Sequence, residues 1–180
     1  MKQVLVTAIF FAFNMPLSAP SKELPRAECH VHRSSEVSFR APDSRDGLEV
    51  SIGTGPCYSA TLTIVVRSEF GEILYSYVEQ FKQHTALASG DPELSKRAEE
   101  FVIQTMAHAM STTAQLPPYA EPSAYYEEHY GTIKVSREEY ERWRKASWPM
   151  LYHQTYYEGG RYAVYDIGVK RSKVIVEEGL

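Results

Sequence analysis

The chain has 180 residues, 43% hydrophobic and 23% charged, with 10 Gly, 10 Pro and 2 Cys. That length fits one domain around a single core, and the composition is not that of a collagen-like, coiled-coil, disordered or disulfide-dense scaffold. A formal charge of -4 and a pI of about 5.9 argue against a general nucleic-acid binder, which needs a basic surface.

At the N-terminus Lys2 precedes an uncharged apolar run from Val4 to Phe13. The run is about half the ~20 residues a membrane-spanning helix needs, and it matches the apolar stretch of a secretory signal. Asn14 and Pro16 interrupt it, and Ser18 and Ala19 supply small residues for cleavage. The expectation is a signal peptide at 1–20 and a single domain at 21–180, periplasmic or secreted. The alternative is a buried first strand of a cytosolic protein. No later stretch is apolar enough to span a bilayer, so no membrane span is expected. In an oxidising compartment Cys29 and Cys57 are expected to form one disulfide, whose closed loop is worth about 3–4 kcal/mol on chain entropy.

Beyond Cys29 the sequence alternates with a period of two. Glu36-Val37-Ser38-Phe39 and Leu48-Glu49-Val50-Ser51-Ile52 read as strands, separated by Pro42, Asp43, Ser44, Asp46 and Gly47. Ser59 to Arg67 and Ile73 to Phe81 flank a Gly-containing break and read as a hairpin. A long helix is expected over 92–113, with Asp91 as cap and Pro92 at its first position. Leu94, Ala98, Phe101 and Val102 then share one face, with Lys96, Arg97, Glu100 and Gln104 opposite. His108 lies at the edge of the apolar face and reads as a buried, hydrogen-bonded histidine.

A short helix is expected over 137–147. Ser136 and Glu139 form a capping box, Val135 and Tyr140 a hydrophobic staple, and Glu138–Arg142 and Glu141–Lys145 two ion pairs at i,i+4. The chain then returns to strands at 151–157, 162–169 and 173–177, with a turn at Glu158-Gly159-Gly160-Arg161. Strands, helices and strands without strict alternation give an α+β domain: a mainly antiparallel sheet of about 6–8 strands with the two helices packed on it.

Chemistry is less legible. The phosphate-cradling loops, the nucleophile elbow and the H-E-x-x-H zinc motif are all missing, and no cofactor is implied. His30 and His32 fall on one side of a strand at a spacing that suits a shared metal, with His84, His129 or Glu128 as a third ligand; two exposed histidines are the plainer explanation. Cys57 as a nucleophile is silenced by its pairing with Cys29. Glu127, Glu128 and His129 offer acid–base groups, but neighbours in sequence point apart and an acidic solvated turn is the plainer reading.

The feature that weighs most is compositional. Of 13 Tyr, 10 lie between Tyr119 and Tyr165, joined by both Trp, whereas all 7 Phe occur at or before Phe101. Tyr and Trp combine a large apolar face with a polar tip, which suits surfaces that a partner covers; the alternative is that they pack the sheet against the helices. Tyr156, Tyr157, Glu158, Arg161 and Tyr162 concentrate this chemistry at one turn and form the candidate binding site. The functional expectation is an exported, non-enzymatic binding protein, an inhibitor or immunity protein acting on another envelope protein. A glycan or small-molecule module, or an envelope hydrolase or metal enzyme built on His30, His32, Glu128, His129 or His153, is the alternative. The oligomeric state is not legible.

Overall fold

The structure, a computed structural model, describes residues 27–179. The expected signal segment at 1–20 lies outside them. The described residues form an α+β fold with two antiparallel sheets and three α-helices.

The first sheet is a four-stranded meander in the order β1 (Glu28–Val37), β2 (Asp46–Pro56), β3 (Thr61–Arg67), β4 (Ile73–Gln80). The alternation read from the sequence sets its faces. Leu48, Val50 and Ile52 of β2 stand directly opposite Val66, Ile64 and Leu62 of β3, and all six are fully buried. Cys29 and Cys57 form the expected disulfide, with Cα atoms 4.8 Å apart, and so join the start of β1 to the turn after β2. The Cys57 N–H reinforces the junction by donating to the Ala27 carbonyl at 2.8 Å.

The long helix, α1 (Leu94–His108), lies over β1 and β2 and buries Leu94, Ala98, Phe101 and Val102. It is shorter than expected. The expected cap is displaced: the Asp91 carboxylate receives the Glu93 N–H at 2.8 Å, but that bond closes a turn over Pro92 and Glu93, and the helix itself starts two residues later than expected, at Leu94, with no side-chain cap. At the other end, Met110–Thr112 leave the helix to form β5, which pairs with Pro149–Leu151. Three hydroxyl residues, Ser111, Thr112 and Thr113, favour that extended exit over another helical turn. His108 is therefore the last residue of the helix and is exposed, contrary to the buried setting expected of it.

A helix absent from the sequence reading, α2 (Pro122–His129), follows, with proline at its start and Tyr130 in the left-handed region at its end (φ 51°). Then come β6 (Gly131–Ile133), α3 (Arg137–Ala146), β7 (Pro149–Tyr156), β8 (Gly159–Asp166) and β9 (Arg171–Glu178). The second sheet has the order β5-β7-β8-β9-β6. Ser136 caps α3 by accepting the Glu139 N–H at 3.2 Å. The ion pairs on α3 run at i,i+3 rather than i,i+4, as Glu139–Arg142 and Glu141–Arg144. Glu139 is also drawn off the helix by Lys173 of β9, 2.6 Å away.

The second sheet is buried on both faces. Leu151, Ala163 and Tyr165 join the core beneath the first sheet and α1, while Met150, Val164, Ile175 and Val176 join Tyr125, Tyr140 and Trp143 beneath α2 and α3. Strands covered on both sides carry near-continuous apolar runs, which is why residues 149–151 and 163–165 do not alternate. Among the described residues, no helix is long and apolar enough to cross a membrane.

Candidate functional site

The β7–β8 hairpin turns on two residues, Tyr157 and Glu158. Gly159, Gly160 and Arg161, expected in the turn, belong to β8. The glycines are there because aromatic rings lie across them. A Cβ on Gly160 would fall 2.4 Å from Cε2 of Tyr152, and one on Gly159 would fall 2.1 Å from Cε1 of Tyr156. Tyr152 also packs on Tyr162 directly across the ladder, with ring centroids 4.8 Å apart.

The five candidate residues thus separate by role. Arg161 turns inward, donates to Glu177 at 2.6 Å and lies 5.9 Å from the centre of the Tyr77 ring. Tyr162 is half-buried, and burial first of all pushes its hydroxyl well above the usual tyrosine range. Tyr156 leans on Gly159. Only Tyr157, 49% exposed, and Glu158 project from the tip.

The fold adds two aromatic residues that the sequence reading did not select. Tyr126, 43% exposed, and Tyr130, 69% exposed, sit at the end of α2 with rings 6.3 Å apart. Gly179 brings them to the hairpin. Its N–H donates to the Tyr130 carbonyl at 2.6 Å, while a Cβ on it would fall 2.1 Å from the Glu158 carbonyl oxygen and 2.8 Å from the Tyr156 hydroxyl. One end of the second sheet therefore presents Tyr126, Tyr130 and Tyr157 beside Glu127, Glu128 and Glu158, all exposed. Arg161 and Lys134 are both engaged by Glu177. The result is an aromatic surface with an acidic rim.

The histidines are dispersed. His30 reaches Thr54 Oγ1 at 2.9 Å, at the bulge that interrupts β1 next to Cys29, and His32 is exposed. Among the described residues no three His, Cys, Asp or Glu converge as metal ligands. His129 packs on Tyr125, with ring centroids 4.7 Å apart, and lies 3.8 Å from a largely exposed Glu128. Cys57 is in the disulfide and cannot act as a nucleophile.

His153 and His84 are buried where the two sheets meet. The Nδ1 of His153 faces the Gln154 carbonyl at 2.8 Å; a carbonyl only accepts, so Nδ1 carries the proton and Nε2 accepts from the Tyr75 hydroxyl. Burial drives His153 down to about 4, against the upward pull of that carbonyl and with a further downward push from Arg161. His153 is thus a neutral structural group with both nitrogens engaged. His84 is also pushed down to about 4, by burial and then by His153, but neither of its nitrogens has a hydrogen-bond partner among the described residues.

Beside this junction, α1 and β7 enclose a cleft of about 290 Å³. Its helical wall carries Arg97, Gln104 and His108, and its strand wall Tyr152, His153 and Gln154. The helical spacing of 97, 104 and 108 was visible in the sequence, but it looked like a solvated face because the partner strand lies more than forty positions further on. Compared with known proteins, the chain matches no family model, no curated protein and no solved structure.

Proposed function

We propose that this chain is an exported, non-enzymatic binding protein that engages a protein partner of the envelope or the secreted fraction through the aromatic end of its second sheet. The observation that carries the reading is the exposure of Tyr126 and Tyr130 at the end of α2 and of Tyr157 at the hairpin tip, two segments whose backbones both approach Gly179. Exposed tyrosines gathered by separate elements supply apolar contact area with little loss of side-chain freedom, which is the chemistry of interface anchors. Glu127, Glu128 and Glu158 around them favour a partner with a basic face, and the overall charge of -4 steers such a partner inward. The Cys29–Cys57 bond supports an oxidising compartment. Joint replacement of Tyr126, Tyr130 and Tyr157 by Ala tests the reading, because all three are exposed and their loss leaves both cores intact. Partner binding is expected to fall at least tenfold while the thermal transition stays in place.

A further inference from the structure

The cleft between α1 and β7 is independent of the aromatic end and has a chemistry of its own. Its size is at the small end of ligand pockets, about 300–1,000 Å³, so it suits one compact molecule rather than a chain segment. Its two permanently charged linings cancel. Arg97 Nη1 lies 3.6 Å from Glu100 Oε2, and Glu100 is further approached by Lys96 at 3.9 Å. His153 is neutral in its tautomer-fixing contacts, so the permanent charges of the lining are already paired, and the exposed His108 imidazole adds one more polar group to the helical wall.

The walls are nonetheless polar. Gln104 from the helix and Gln154 from the strand each bring an amide that both donates and accepts, and the Thr105 and Tyr152 hydroxyls do the same. The inner wall is the ring of Phe101, only 7% exposed. Against that ring, with centroids 5.1 Å apart, lies His84, whose two nitrogens have no partner among the described residues. Polar demand therefore continues behind the apolar wall. A purely apolar ligand would strand the amides and hydroxyls, and an ion would have to compete with the Arg97–Glu100 pair.

We propose that the α1–β7 cleft binds a small uncharged polyol, a single sugar ring in size, with amides and hydroxyls reading its hydroxyl groups and Phe101 receiving its apolar face. The site does not depend on the protein-binding surface proposed above: the two share no residue, although β7 forms one wall of the cleft and then leads into the turn that carries Tyr157.

Amide-resolved NMR titration of the ¹⁵N-labelled, disulfide-bonded protein tests this, using glucose and N-acetylglucosamine as probes and acetate and methylammonium as charged controls. Saturable shifts at Gln104, Thr105 and Gln154 are expected from at least one sugar, with a Kd on the order of millimolar. Gln104→Ala and Gln154→Ala should each weaken that binding about fivefold, with unchanged spectra at Tyr126 and Tyr130. Both substitutions are outside the cores, so an unchanged urea midpoint confirms that the fold is kept. The proposal is overturned if neither sugar gives saturable shifts at these amides. It is equally overturned if acetate or methylammonium reproduces the sugar's shifts, or if the Gln104→Ala and Gln154→Ala variants bind as the parent does. Loss of sugar binding with partner binding retained, or the reverse, separates this site from the aromatic end.

Discussion

His84 and His153 pack on the same ring: the Tyr77 centroid lies 6.1 Å from one imidazole and 4.6 Å from the other, at the seam between the two sheets. Around them stand Tyr75, Tyr77 and Glu79 from β4, Arg161 from β8 and Phe101 from α1. Burial pushes the Tyr77 hydroxyl up to about 12, so no phenolate is present to receive a proton. Of these groups only Glu79 favours a charged His84, and Arg161 opposes a charged His153.

That arrangement makes the fold acid-sensitive. Both imidazoles titrate at about 4 in the folded chain against an ordinary 6.5, so the unfolded chain binds more protons between those values. Stability is at its full value above pH 6.5 and is lost as pH falls through 4. Each imidazole accounts for about 2–3 kcal/mol between pH 7 and pH 4.5. Urea unfolding at those two pH values should show the loss, and His84→Phe, which keeps the ring contacts, should remove about half of it. An unchanged pH dependence in that variant would contradict the assignment.

The disulfide supports the open end of the first sheet. Cys29 and Cys57 are 3% and 0% exposed and belong to the larger core. Replacing both with Ser should lower stability by more than the roughly 3–4 kcal/mol of the chain-entropy share alone, because two hydroxyls are then buried as well. Chemical denaturation of the double variant against the parent checks this.

In the β7–β8 hairpin, Gly160 holds room for the Tyr152 ring, 2.4 Å from where a Cβ would stand. Gly160→Ala should therefore cost about 1–3 kcal/mol and disturb the Tyr152–Tyr162 pair, visible as altered near-ultraviolet circular dichroism. The same substitution at Gly90, where a Cβ meets nothing within 4 Å, should leave stability within about 0.5 kcal/mol and serves as the control.

Local signals were read well where local chemistry decides. The period-two pattern of Leu48, Val50 and Ile52 gave β2 and its buried face, and Ser136 before Glu139 gave the start of α3 within one residue. The α+β class followed from element order. Three features were set by distant partners and stayed hidden. Met110–Thr112 become a strand because Pro149–Leu151 offer an edge. Residues 122–129 form a helix with only Tyr125 buried, so no apolar stripe announces it. Arg161 leaves the expected binding tip because Glu177, sixteen residues further on, pairs with it. The tyrosine enrichment was legible as composition, but its division into core, stacking pairs and exposed surface needed the fold. Tyr140 is fully buried, while Tyr130 is 69% exposed.

The most direct test of the binding assignment is affinity capture from the host's own envelope fraction, run in parallel with the parent protein and with the Tyr126, Tyr130 and Tyr157 triple alanine variant. The expected result is one protein with a basic surface, retained by the parent at fixed stoichiometry, weakened by salt and lost from the variant. Retention by both proteins alike, or by neither, would contradict the assignment of the aromatic end as the binding surface.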